Sequence, residues 1–185
     1  IRQEYGQFGE VLRLRGGTPC EVEPSAYDEP MANGLTYTRI TSTSEATKQL
    51  ASTLAPYLHA GDVVVLDGDL GAGKTQFVQG VAAALGVRTP VTSPTFNILL
   101  EYGEGRLPVY HYDLYRLDDR LQLEDIDYYR AIDGDGDGVA FVEWAEKFPG
   151  DMPYDYLELT IPADLDGSRR IVAHSYGSRS RQLLF

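Results

Sequence analysis

Along the middle of the chain the spacing of hydrophobic positions changes twice, and each change marks an element. Val63-Val64-Val65-Leu66 is an unbroken, largely β-branched run, the pattern of a strand buried on both faces, as at the centre of a parallel sheet. Further on, Phe77, Val78, Val81, Ala82 and Leu85 recur at helical spacing until Gly86 supplies a C-terminal stop. Upstream, Tyr37, Arg39 and Ile40 predict a short strand. The cluster Thr41-Ser42-Thr43-Ser44 then predicts the cap of a helix that carries Ala46, Leu50, Leu54 and Leu58 on one face and ends at Gly61. Two later apolar runs, Val109-Tyr110-His111-Tyr112-Asp113 and Val139-Ala140-Phe141-Val142-Glu143, predict strands that end in carboxylates.

Residues 1–34 follow neither period and are punctuated by Gly16-Gly17, Pro19, Pro24, Pro30 and Asn33-Gly34, so they read as an extension or linker. Met31 is a natural point for a compact domain to begin. The expected division is therefore 1–34 as extension, 35–177 as one domain and 178–185 as a C-terminal tail. The 185 residues suit a single domain with its own core. No apolar run approaches the ~18 residues of a membrane span. The lone Cys20 has no partner for an internal disulfide, and the amino-terminal residues lack a signal-like apolar stretch. A soluble protein in a reducing, cytoplasmic setting is expected, with no membrane role.

Between the buried strand and the helix lies Gly68-Asp69-Leu70-Gly71-Ala72-Gly73-Lys74-Thr75, which fits the phosphate-binding pattern G-x-x-x-x-G-K-[ST]. Such a motif is persuasive when a strand feeds it and a helix leaves it, and here both do. Gly68, Gly71 and Gly73 let the backbone turn its N–H groups inward on phosphate oxygens. The helix adds its positive N-terminal end. Lys74, expected at an exposed position, would meet the β and γ phosphates, and the Thr75 hydroxyl would ligate Mg²⁺. ATP and Mg²⁺ are thus the expected ligands.

A phosphate cradle also needs an acid from a second strand. Glu143, at the end of the more buried run, is the better metal-ligand candidate, and Asp113 is the other. Ser93-Pro94-Thr95-Phe96 lies where proteins of this kind place a loop that senses the γ-phosphate, which makes Thr95 a candidate, although a helix cap or plain turn fits its sequence nearly as well. His111, between Tyr110 and Tyr112, reads as a packed strand residue. Asp133-Gly134-Asp135-Gly136-Asp137-Gly138 begins like a calcium loop, but its twelfth position is Trp144 where a bidentate Glu is required. It is expected to be an acidic turn.

Charge limits the partners. Net charge is −12, and residues 113–166 carry all of it, with 16 Asp and Glu against Arg116, Arg120, Arg130 and Lys147. A protein that grips nucleic acid directly needs a basic footprint, and none is present. The acidic stretch is a solvated face or a surface for a basic partner.

Taken together, Leu66-Asp67-Gly68-Asp69-Leu70-Gly71-Ala72-Gly73-Lys74-Thr75, Ser93-Pro94-Thr95-Phe96, His111-Tyr112-Asp113-Leu114-Tyr115-Arg116 and Val142-Glu143-Trp144 resemble the TsaE family over roughly residues 36–175. These are ATPases of bacterial tRNA threonylcarbamoyladenosine synthesis. The resemblance implies an α/β, P-loop NTPase three-layer fold, with a central, largely parallel β-sheet flanked by helices. It implies ATP hydrolysis in a complex with TsaB and TsaD, tRNA being met only through that complex. It also implies Lys74, Asp113 and Glu143 as the catalytic set, with Thr75 and Glu143 on the metal. Thr47 matches a threonine near the adenine and Trp144 a tryptophan near the nucleotide. Arg170 follows Gly167-Ser168 where the family has a Gly-Arg contact, with a poor local match.

A small-molecule kinase is the alternative, but it needs basic groups to clamp the transferring phosphoryl, and the corresponding region is acidic. A GTPase is disfavoured because no Asn-Lys-x-Asp or Thr-Lys-x-Asp stretch is present.

Overall fold

Seven strands form one sheet in the order β1-β7-β6-β2-β5-β4-β3. The computed structural model describes residues 36–134, 136–162 and 167–184. The expected extension at 1–34 therefore lies outside the described residues. The strands are β1 (Thr36–Thr41), β2 (Val63–Asp67), β3 (Leu99–Tyr102), β4 (Val109–Asp113), β5 (Val139–Glu143), β6 (Tyr156–Thr160) and β7 (Arg169–Tyr176). The inner strands β6, β2, β5 and β4 run parallel, whereas β1, β7 and β3 pair antiparallel with their neighbours. This is the expected three-layer α/β architecture with a largely parallel centre.

The reason is visible in β2, whose first four residues are all buried. Val64 and Leu66 point into a cluster with Phe77, Val78, Val81, Phe141, Leu157 and Leu159. Val63 and Val65 point the other way, to Tyr112, Val142, Leu114, Leu123 and Tyr128. A strand with no polar side must be covered twice. One cover is α1 (Ser44–Ser52) with α2 (Lys74–Leu85). The other is the segment holding α3 (Leu121–Glu124) and α4 (Tyr128–Ile132).

Helix α1 begins as its hydroxyl cluster predicts, with the Thr43 side chain accepting the Ala46 N–H at 3.0 Å. It ends earlier than expected. Pro56 has no N–H to continue the ladder, so the chain passes into a 3₁₀ turn at Ala55–Tyr57. The inward face is also rotated: Thr47 and Ala51 are buried in the helix, ahead of Leu54 and Leu58. Ala46 and Leu50 are only half-buried. Helix α2 ends as predicted, with Gly86 at φ 95° and the Val87 N–H reaching back to the Ala82 carbonyl at 3.0 Å, a glycine-dependent stop.

Residues 178–184, set apart in sequence as a tail, return onto the domain. Arg179 forks Asp62 at 2.8 and 2.6 Å, and Leu183 is buried in the core. Among the described residues no helix is long and apolar enough to cross a membrane.

The two covering helices touch through Gly80, where a Cβ would sit 2.3 Å from the Lys48 carbonyl oxygen and 2.9 Å from the Ala51 Cβ. Gly80→Ala gains up to about 1 kcal/mol of helix propensity, yet the overpacking costs about 1–3 kcal/mol and should win. Thermal unfolding should drop by a few degrees, at about 2–4 °C per kcal/mol for a domain of this size. A raised melting temperature would refute the close helix crossing.

Candidate nucleotide site

Parallel register sets the site. Leu66 of β2 pairs with Glu143 of β5, and Glu143 pairs in turn with Asp113 of β4. All three strands therefore finish at one level, and the glycine-rich loop leaves β2 at that edge. Crevices at the carboxyl ends of parallel strands are the usual ligand positions of such sheets.

Within the loop, Gly68 is required for close approach, since a Cβ there would lie 2.3 Å from the Ile161 carbonyl oxygen. Gly71 is required for conformation instead. Its φ is 82°, with nothing within 4 Å of a Cβ position. Gly73, at φ 112°, caps α2 without a side-chain bond, and this leaves the first-turn N–H groups directed at the loop mouth.

Lys74 is buried, not exposed as expected, with 5% of its surface accessible. Its Nζ donates to the Gly68 carbonyl at 2.5 Å and the Asp69 carbonyl at 3.2 Å. It lies 3.7 Å from Glu143 Oε2 and 4.7 Å from the centre of the Trp144 ring. Glu143 is the meeting point of the site, for its Oε1 also takes the Thr75 hydroxyl at 3.5 Å and His111 Nε2 at 2.9 Å. The Thr75 hydroxyl and the Glu143 carboxylate would offer two oxygen ligands of the kind Mg²⁺ takes. Among the described residues no group of three or more His, Cys, Asp or Glu could hold a metal alone. A Mg²⁺ that shares phosphate and water ligands needs no more than one or two protein groups.

Asp113 is buried and its Oδ1 accepts the Tyr115 N–H at 3.0 Å. Its own N–H is held by the Ile98 carbonyl at 2.8 Å, which ties the Ser93–Phe96 segment to the end of β4. In that segment the Ser93 and Thr95 hydroxyls bond each other at 2.7 Å, and Pro94 accepts the N–H groups of both Asn97 and Ile98. Phe96 stands 83% exposed with the Arg116 guanidinium 4.7 Å from its ring centre. Arg116 is thus held against an aromatic face.

Trp144 follows Glu143 in the left-handed region, at φ 63°. Such a backbone costs a bulky residue about 1–3 kcal/mol. The turn brings the indole to Lys74 on one side and, at 5.0 Å between ring centres, to Tyr115. Asp69 and Leu70 are exposed on the loop and Ala72 is buried beneath it.

Two expected residues are not on the site surface as anticipated. Thr47 is fully buried, and its hydroxyl donates to the Thr43 carbonyl at 3.2 Å and accepts from the Thr41 hydroxyl at 2.8 Å, so it braces the start of α1. Arg170 lies on the opposite face of β7 from buried Ile171, whereas Arg169 shares the face of Ile171. It is Arg169 whose Nε comes within 3.0 Å of a Cβ position on Gly73. Alternation along the strand decides between the two arginines. His111, read as a packing residue, is also part of the site. The same alternation could have found it, because His111 and Asp113 are two apart, like Phe141 and Glu143.

The chain is similar to known proteins along most of its length. The family described as threonylcarbamoyl adenosine biosynthesis protein TsaE matches residues 41–171. A Bacillus subtilis protein named tRNA threonylcarbamoyladenosine biosynthesis protein TsaE is 41% identical over 139 residues, which is 75% of this chain and 85% of that protein. A protein of the same name from Aquifex aeolicus is 40% identical over 136 residues, 72% of this chain and 91% of the relative. The crystal structure of Bacillus subtilis YdiB superposes with a TM-score of 0.70 at 36% identity, covering 82% of this chain and 93% of that one. A match of this extent, joined to the loop and strand-end acids described above, places the chain in the TsaE family.

Proposed function

We propose that this protein binds and hydrolyses ATP with Mg²⁺, as a partner-dependent component of the machinery that makes threonylcarbamoyladenosine in tRNA, acting with TsaB and TsaD. The observation that carries the ATPase reading is the convergence of Lys74, Thr75 and Glu143 at the mouth of the glycine loop. The names of its relatives support the pathway.

In this reading Lys74 gives up the carbonyls of Gly68 and Asp69 for phosphate oxygens, an exchange of neutral acceptors for charged ones. Thr75 and Glu143 would hold the metal, which supplies charge neutralisation at the phosphates when bound. Asp113 lies at the same sheet edge and would orient water for attack on the γ-phosphorus, taking its proton as the bond to the bridging oxygen of ADP breaks. Arg169 adds positive charge beside Gly73.

The engagement of three cations of the acidic segment supports partner dependence. Arg120 pairs with Asp151 at 2.6 Å, Lys147 donates to the Tyr115 and Leu117 carbonyls, and Arg116 rests on Phe96. Stabilisation of the transition-state charge by an added arginine is worth about 10³–10⁵ in related hydrolases, and a partner that supplies or reorients one would accelerate turnover. With residues 113–166 carrying −12, tRNA is repelled unless another protein holds it.

Lys74→Met should lower ATP affinity by about 10–100-fold, the worth of a charge-assisted contact. It should also lower stability without nucleotide by about 1 kcal/mol, because the partly exposed Gly68 and Asp69 carbonyls lose their donor. Calorimetric ATP titration and thermal melts read the two separately, and unchanged ATP affinity would sink the ATPase reading.

The two acids should fail differently. Glu143→Ala should reduce the gain in affinity that Mg²⁺ gives to ATP, whereas Asp113→Asn should bind ATP normally and lose about 10²–10⁴ in turnover. Single-turnover hydrolysis beside equilibrium binding tells them apart, and a normal rate in Asp113→Asn removes that residue from the mechanism.

Turnover measured alone, with tRNA, and with TsaB and TsaD at two salt concentrations should rise only with the proteins. Stimulation by tRNA alone would overturn the partner-dependent reading.

A further inference from the structure

Behind the acid that meets Lys74 and Thr75 stands a residue no part of the mechanism has used. His111 is fully buried in the centre of β4, paired in register with Leu100 of β3 and Phe141 of β5. Its side chain lies on the same sheet face as Phe141 and Glu143, one alternation below the carboxylate. Nε2 is 2.9 Å from Glu143 Oε1, and Nδ1 has no hydrogen-bond partner among the described residues.

That one-sided bonding identifies the tautomer. A carboxylate oxygen only accepts, so the short contact requires hydrogen on Nε2. Nδ1 is then a bare acceptor, and unpaired buried acceptors are better tolerated than unpaired N–H donors. The opposite tautomer would set a lone pair against the carboxylate and leave a buried N–H with no acceptor.

The other contacts of Glu143 are longer. Thr75 Oγ1 is 3.5 Å away, and Lys74 Nζ, at 3.7 Å, has its shorter bonds to loop carbonyls. A glutamate at the end of a strand has three side-chain torsions to fix. Of its contacts among the described residues, the His111 bond alone is both short and anchored in the sheet.

We propose that His111 is the positioning residue of this site: its imidazole, bonded through Nε2–H to Glu143 Oε1, fixes the carboxylate to face Thr75 and the cation that accompanies ATP. The assignment rests on the ATPase reading and deepens it. Hydrogen-bonded groups behind metal ligands typically contribute about 10–100-fold in metal affinity.

The test uses the full chain with His111→Phe, which fills similar space without a donor, and His111→Gln, whose amide nitrogen reaches the place of Nε2. ATP is titrated in EDTA and in Mg²⁺ for each protein. In His111→Phe the Mg²⁺-dependent gain in ATP affinity should fall by about tenfold or more, with the EDTA affinity at the parent value. His111→Gln should recover most of that gain. Two-bond ¹H–¹⁵N spectra of the parent should show the Nε2–H tautomer. The proposal is overturned if His111→Phe keeps the parent's Mg²⁺ gain, if His111→Gln is as defective as His111→Phe, or if the parent carries hydrogen on Nδ1 and none on Nε2. The spectra and His111→Gln decide the matter should His111→Phe fail to fold. Parent protein that binds no ATP would refute the ATPase reading, and this assignment with it. Parent that binds ATP with a Mg²⁺ gain indifferent to His111 refutes the assignment alone.

Discussion

Everything at the site depends on the register of three parallel strands. Leu66, Glu143 and Asp113 occupy one level across β2, β5 and β4. Side chains alternate along each strand, so a slip of one residue in β5 would put Glu143 on the far face and bury Val142 among the helices of the near one. The apolar pattern prevents the slip. Phe141 is fully buried toward α1 and α2, while Ala140 and Val142 are fully buried toward the α3–α4 layer, and each fits only its own side. Burial of one large side chain is worth about 1.5–3 kcal/mol, and several such residues per strand hold the register firmly. The core thereby sets where a carboxylate stands relative to a lysine.

Much of this was legible in the sequence because the signals are local. The buried run at Val63–Leu66, the glycine loop and the helical spacing from Phe77 each depend on a few adjacent residues, and all three elements form where the pattern puts them. Gly86 stops α2 for the same local reason. What was not legible depends on neighbours distant in the chain. The burial of Lys74 comes from Trp144 and Glu143, about seventy residues away, and no spacing within the loop reveals it. Thr47 points inward because α1 is turned on its axis to pack Ala51 against Gly80 of α2, a contact whose tightness only the crossing shows.

Some of what was missed was nonetheless encoded. Pro56 was in view as a helix breaker and ends the ladder of α1 before Gly61. The choice between Arg169 and Arg170 follows from strand alternation once Ile171 is recognised as the inward residue. His111 could have been placed by the same counting from Asp113. These are cases where a periodicity used to find the core was not carried on to the polar residues that share its face.

Trp144 shows how the two layers are joined. Val142 belongs to the α3–α4 layer and Glu143 to the side of the glycine loop. The half-buried indole of the next residue packs on the α3–α4 layer beside Tyr115 and also reaches the Lys74 ammonium. The left-handed backbone at φ 63° costs about 1–3 kcal/mol. Against it stand the contact of Lys74 with the ring, about 0.5–2 kcal/mol for a cation on an aromatic face, and the packing of Tyr115, about 0.5–1.5 kcal/mol for an aromatic pair. The two sides are comparable in size, so the turn is held in place by its contacts and not by local preference. Tyr115 in turn carries the Lys147 ammonium 5.6 Å from its ring centre, and Lys147 is bound to the carbonyls of the acidic layer. The conformation of the residue after Glu143 is therefore bound up with both the loop lysine and the acidic layer.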